Sequence, residues 1–290
     1  MHQVCCQFFG LHNLVIINIK SGYLCLMRII TAYIKVVFFL LGTLGIYLLY
    51  AIPYMIIRLF RKPYEPWRNI ILRFWGKSVA KILGLRITVE GTPPKPPFFI
   101  VSNHLSYLDI PVFYSILDTT FVSKHEIRNW PVIGIMARSL GILFIKRGLK
   151  RDVTRVNREI SEQLNEHQGV VLFPEGMTSP GDKIHRFRPS LLEHAASENA
   201  EVYYAAIRYE TPPDDVPAYN SVCWWGNTPL HTHLLRVGKT SKVDVLVRFG
   251  ATTIRSDDRK ELALKLQESV EKLFIPVVRD FEEEYEPVKF

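Results

Sequence analysis

Residues 98–109 read FFIVSNHLSYLD: four uninterrupted apolar residues, a polar bend, then Asp109 two positions ahead of Pro111. A short apolar run bounded by turn formers reads as a buried strand, and proline is best tolerated in the first helical turn. The stretch is therefore a strand, a non-helical bend over His104 to Leu108, and a helix starting near Asp109. The alternation recurs on either side. Leu85 to Glu90, TTFVSK (119–124), GILFIKR (141–147), GVVLFP (169–174), EVYYAAIRY (201–209) and KVDVLVRFG (242–250) read as further strands, and Val153, Val156, Ile160, Leu164 and Leu262, Leu266, Val270, Leu273 repeat at helical spacing. Strands alternating with helices predict an α/β domain whose mixed, largely parallel sheet is flanked by helices.

Ahead of that domain lies a different kind of segment. Residues 36–57, VVFFLLGTLGIYLLYAIPYMII, carry no charge, and at about 1.5 Å per residue a helix of this length matches a hydrocarbon core of about 30 Å. It reads as a hydrophobic helical membrane segment, with Pro53 as a place to kink, so that it spans the bilayer or bends within one leaflet. Arg58, Arg61, Lys62, Arg68, Arg73 and Lys77 follow it, against Lys20, Arg28 and Lys35 before it, which places the C-terminal part on the cytoplasmic face. A cleaved signal peptide fits poorly, because the run is long and lacks a small-residue cleavage site.

The whole chain of 290 residues carries a formal charge of +8 and a pI near 9.3, which favours anionic partners such as nucleic acid, acidic lipid surfaces or phosphorylated substrates. Its 48% hydrophobic content excludes a disordered tail. Cys5, Cys6, Cys25 and Cys223 have no metal-ligand spacing and suggest no disulfide framework; no metal is expected, and a reducing compartment fits.

His104 at a strand end, with Asp109 five positions on, has the composition of a general base and its orienting carboxylate. Spacing alone does not bring them together. Five residues reach about 17 Å extended, and on a straight helix they point roughly 140° apart, so the bend must double back. The competing readings are that Asp109 caps the following helix, or that Ser106 and Asp109 form a capping box.

Two further strand ends carry candidate chemistry. GILFIKR closes on Lys146 and Arg147, a planar fork suited to phosphate oxygens; FPEGMTS (173–179) breaks a strand with Glu175 and Gly176, where glycine lets the backbone approach a ligand. In α/β sheets, ligands sit at such strand ends.

In this order NHLSYLD, GILFIKR and FPEGMTS resemble the first three sequence blocks of the glycerolipid acyltransferases typified by 1-acylglycerol-3-phosphate acyltransferase, over about residues 75–250. The resemblance implies that His104 and Asp109 are the catalytic pair. It implies that the acceptor is bound by Gly141, Phe144, Ile145 and Arg147 of the second block and by Phe173, Pro174, Glu175 and Gly176 of the third. The donor it implies is an acyl thioester, acyl-CoA or acyl carrier protein, with no cofactor; the partners are a lyso-lipid acceptor and membrane lipids, with no nucleic acid. The expected organisation is an N-terminal preface (1–35), a membrane segment (36–62), an acyltransferase domain (63–280) and an acidic tail (281–290). Oxyanion donors are expected among backbone amides near the His104 loop.

Three departures bear on the acceptor. The third block commonly reads Phe-Pro-Glu-Gly-Thr-Arg-Ser, whereas Met177 and Thr178 stand here, so one expected cation is missing. Arg186 and Arg188 of HRFRPS are the nearby substitutes. Ala205 stands where a later block usually has proline, and Ser190 where glycine follows. Lysophosphatidic acid is thus the leading acceptor, with lyso-ornithine lipid or another lysophospholipid as the alternative; a thioesterase or a catalytically silent lipid-binding protein is the more distant one. Other classes lack their signatures: there is no G-x-S-x-G elbow, HEIRN at His125 lacks a second histidine, and VGKT (237–240) lacks the earlier glycine of a phosphate loop.

Overall fold

The computed structural model describes residues 2–145 and 150–281. Seven strands, β1 (Leu85–Glu90), β2 (Phe99–Ser102), β3 (Thr119–Lys124), β4 (Leu143–Ile145), β5 (Gly169–Leu172), β6 (Val202–Glu210) and β7 (Val243–Phe249), form one sheet in the order β1-β7-β6-β2-β5-β3-β4. Every neighbouring pair is parallel except β6–β7. The helices are α1 (His2–Leu59), α2 (Glu65–Leu83), α3 (Asp109–Ile116), α4 (Ile133–Ser139), α5 (Lys150–Gln163), α6 (Glu193–Ser197), α7 (Ala218–Ser221), α8 (Leu230–Lys239) and α9 (Arg259–Leu273).

The continuous apolar runs of β2 and β5 follow from burial on both faces. Ile100 and Val171 pack with α2 and α3 on one side, while Phe99, Val101, Val170 and Leu172 pack with α5, α6 and α9 on the other. The second block gives a shorter strand than expected, since β4 ends at Ile145; Lys146 and Arg147 lie outside the described residues. Nearly all of the expected acidic tail lies outside them too.

The sequence pattern did not reveal α2, because Arg68 and Asn69 interrupt its apolar face. Both are buried: Arg68 Nε and Nη2 donate to Asn69 Oδ1, at 3.3 and 2.8 Å. Of the basic residues that follow the apolar run, Arg68 is therefore withdrawn into the domain, and Arg73 is paired with Asp118. Gly76 lets α2 meet α3 closely; a Cβ there would stand 2.4 Å from the Pro111 carbonyl oxygen. The glycine thereby fixes α3, which begins with Asp109.

The apolar segment is part of a longer helix. α1 continues through Pro53, and the boundary expected at residue 35 falls inside it. Its stretch Leu26–Leu59, of mean hydropathy 2.1, is the one helix among the described residues long and apolar enough to cross a membrane. One side is bound to the domain: Lys35 Nζ donates to Thr240 O (2.7 Å), Trp75 Nε1 to Thr43 Oγ1 (3.0 Å) and Tyr50 Oη to Ser139 O (2.7 Å). The other side exposes Phe38, Leu41, Ile52 and Met55, an apolar row suited to lipid.

Candidate active site

β2, β3, β5 and β6 all run parallel, so their carboxyl ends share one edge of the sheet. At that edge Asn103 extends the β2–β6 pairing by one residue: its side chain donates to Ile207 O (3.0 Å) and accepts from Ile207 N (2.8 Å). The clamp fixes the point at which the bend begins.

The bend doubles back. Asp109 Oδ2 accepts from the His104 Nδ1 side at 2.7 Å and from the amides of Leu105 (2.8 Å) and Ser106 (3.1 Å). Asp109 is the first residue of α3 but its carboxylate reaches into the loop behind it, and Leu108, the N-cap residue, makes no side-chain cap. Of the capping box only one half is present, the Asp109 carboxylate accepting from Ser106 N, while Ser106 Oγ has no partner among the described residues; the carboxylate chiefly gathers the His104 loop. A carboxylate on Nδ1 makes that nitrogen the donor and leaves Nε2 with a lone pair. The imidazole is one-fifth exposed and lies flat on Phe173, with ring centroids 4.0 Å apart.

The third block closes over the same loop. Gly176 turns the chain with φ +73°, Ser179 N donates to His104 O (3.1 Å), and Glu175 Oε1 accepts from His104 N (3.3 Å). The amides of His104, Leu105 and Ser106 are thus all held by carboxyl side chains, Glu175 for the first and Asp109 for the other two. They are not the oxyanion donors expected from this loop.

A cavity of about 390 Å³ opens beside His104. It is lined by Phe173, Gly176, Met177 and Thr178 of the third block, by Tyr107 and Trp224, and by Phe39 and Leu40 of α1. The Tyr107 wall is braced from behind by buried His233, whose Nε2–H faces Cys223 O (3.0 Å) and whose Nδ1 faces the Tyr107 hydroxyl (3.2 Å). Burial lowers His233 to about 4, which keeps it neutral.

A family model described as Acyltransferase matches residues 86–209, a range that contains every strand bearing the site. A lyso-ornithine lipid O-acyltransferase of Pseudomonas aeruginosa is 33% identical over 207 residues, covering 71% of this chain and 78% of that protein. The chain belongs to the glycerolipid acyltransferase family. A 1-acyl-sn-glycerol-3-phosphate acyltransferase of Neisseria gonorrhoeae is 32% identical, covering 70% of this chain and 80% of that one. The crystal structure of the 1-acyl-sn-glycerophosphate (LPA) acyltransferase PlsC from Thermotoga maritima shares the fold, with a TM-score of 0.58 at 20% identity, over 86% of this chain and 95% of that chain.

Within this acyltransferase the expected acceptor residues separate into two groups. Phe173 and Gly176 line the cavity, and Glu175 and Pro174 form the turn beside it, where Arg188 Nε donates to Glu175 O (3.2 Å). Arg186 and Arg188 are both exposed near this turn. Phe144 and Ile145 are buried strand residues, and Gly141 sits at the other end of β4, against Tyr64 and Arg68. Ile142, not these three, lines the cavity.

Sequence reading missed Tyr209. Its hydroxyl donates to Asp109 Oδ1 at 2.6 Å, the oxygen that His104 does not use. Burial, and then the charge of Asp109, push its phenol well up, so it stays a donor. A signal was available: Ala205, Ile207 and Tyr209 alternate on one fully buried face of β6, and a buried tyrosine hydroxyl needs a partner.

Glu175 is buried, and its Oε2 has no hydrogen-bond partner among the described residues. Burial pushes its carboxyl well above the ordinary 4.5, opposed by the His104 amide. The folded state thus keeps a proton that the unfolded chain releases as pH rises past about 4.5, and stability falls with pH until the folded carboxyl ionises. Glu175→Gln keeps the acceptor for His104 N and cannot ionise. Its stability relative to the parent should rise with pH across that window by up to about 1.4 kcal/mol per pH unit, measured as denaturation midpoints; a pH-independent difference would show that Glu175 is already ionised in the fold.

Proposed function

We propose that this acyltransferase moves a fatty acyl group from an acyl thioester, acyl-CoA or acyl carrier protein, to the free hydroxyl of lysophosphatidic acid, giving phosphatidic acid. The observation that carries the reading is the 2.7 Å contact of His104 Nδ1 with Asp109 in a loop that borders an apolar cavity. With Nδ1 donating, Nε2 takes the proton of the acceptor hydroxyl as its oxygen attacks the thioester carbonyl. The C–O bond forms, the C–S bond breaks, and the same proton passes to the departing sulfur. Asp109 holds the tautomer and stabilises the imidazolium that forms between those steps. No covalent acyl-enzyme is required. In this reading Glu175, Gly176 and the neighbouring arginines, with Arg147 from the second block, shape the acceptor site, and the apolar cavity takes hydrocarbon. The basic residues after the apolar segment, Arg58, Arg61 and Lys62, support a cytoplasmic position for the catalytic domain.

A second reading, lyso-ornithine lipid as acceptor, is favoured by Met177 and Thr178, which leave the third block without its usual arginine. The test is product formation from a labelled long-chain acyl thioester with lysophosphatidic acid, other lysophospholipids and lyso-ornithine lipid offered in turn. Label in phosphatidic acid is expected. Label in ornithine lipid alone would move the acceptor, and label only in free fatty acid would make the protein a thioesterase.

A further inference from the structure

Next to the cavity beside His104 lies a second one of about 450 Å³, lined along α1 from Phe39 to Tyr50. Phe39, Leu40, Ile110, Ile133, Ala137 and Ile142 line both. Four of the residues lining the second cavity are themselves exposed: Leu40 (54%) and Leu44 (46%) on α1, Val132 (57%) and Ile133 (44%) opposite. Its mouth therefore lies between α1 and the turn that leads into α4.

That turn has an unusual conformation. Val132 has φ +62° and ψ −61°, and Ile133 N donates to Pro131 O at 2.6 Å. This is the rare φ-positive γ-turn, which is strained and more so for a β-branched residue. Its effect is to turn apolar side chains outward: Pro131, Val132, Ile133 and Ile135 are all exposed, and Arg128 and Arg138 stand exposed at the base. Strain of this kind collects at functional positions. The far end of α4 is tied to the apolar segment itself, with Tyr47 Oη 3.1 Å from Ser139 Oγ and Tyr50 Oη donating to Ser139 O. On α1 the exposed mouth residues Leu40 and Leu44 adjoin Leu41 of the lipid-suited side, so the turn faces lipid across the mouth, and its two arginines suit the phosphates of an anionic leaflet.

We propose that Trp130–Ile135 is a second membrane contact: the turn inserts into the leaflet that receives the exposed side of α1, and the cavity opens sideways into lipid between them. A lyso-lipid reaches His104 through this mouth with its tail still in the leaflet. The substrate part of this inference rests on the acyltransferase reading above; the membrane contact does not.

Two measurements separate them. In the full-length chain with Cys5, Cys6 and Cys25 changed to serine and buried Cys223 left in place, an environment-sensitive fluorophore is attached at Val132→Cys or at Glu268→Cys. The latter is exposed on α9, on the opposite face of the sheet. Bound to phosphatidylcholine–phosphatidylglycerol vesicles with brominated chains, the label at 132 should be quenched several-fold more than the label at 268. Equal quenching would overturn the contact, with or without activity, and would leave the patch to a protein partner.

Ile135→Asp then tests the mouth, because Ile135 lines neither cavity. Transfer to a long-chain lysophosphatidic acid in vesicles should fall about tenfold, the penalty of a carboxylate at the bilayer, while transfer to a short-chain acceptor dissolved in water stays within about twofold. Equal falls, or no fall, would overturn lateral entry. Absence of transfer in the parent would sink the functional reading while the quenching result still stood.

Discussion

His104→Ala should remain folded and transfer acyl groups at least about a thousandfold more slowly than the parent, the scale on which removal of a base from an oriented catalytic pair is felt. The fold has little invested in this side chain. The imidazole gives up one ring stack on Phe173 and one hydrogen bond, a cost of about 1–2 kcal/mol. Asp109 keeps the amides of Leu105 and Ser106 and the hydroxyl of Tyr209, so the loop stays gathered. Initial rates with a labelled thioester, read beside thermal unfolding, check both halves. Turnover within tenfold of the parent would remove His104 as the base.

Asp109→Asn should lose about a thousandfold in kcat/KM with a smaller loss of stability than its burial suggests. The asparagine oxygen can take the place of Oδ2 and keep the loop amides, leaving its NH₂ to face Tyr209, whose hydroxyl can rotate to accept. The fold survives but the charge does not. With a neutral partner the imidazolium that forms between the two proton transfers loses its counter-charge, so the loss should fall on kcat rather than KM. Tyr209→Phe separates charge from support. It leaves Oδ1 buried without its donor, costing about 1–3 kcal/mol of stability, but keeps the charge beside His104, so kcat should stay within about tenfold of the parent. Equal losses of kcat in the two variants would show that Asp109 acts through packing alone.

The chain announced its sheet more clearly than its site. Runs such as FFIV and GVVL are buried on both faces, and composition alone records that. The start of α3 at Asp109 was legible because Pro111 restricts the backbone. By contrast α2 escaped notice because a fully buried arginine sits in its apolar face, satisfied by Asn69 and the Leu140 carbonyl, and no periodicity encodes such a partner. The His104 and Asp109 identities were in the blocks, but their contact depends on a bend whose closure is set by three donors converging on one oxygen. Tyr209, a hundred residues along the chain from Asp109, meets it only because β6 lies beside β2.

The order of strands also sets a schedule for assembly. Among the described residues β1 pairs with no strand but β7, so residues 85–90, which emerge directly after the apolar helix and α2, wait for residues 243–249 before either can complete the sheet. A contact of such long sequence separation is slow to form and leaves a strand edge unpaired in the interval. During synthesis the first strand of the domain is therefore exposed for nearly as long as the domain takes to make, and a chain cut short before β7 should aggregate through β1.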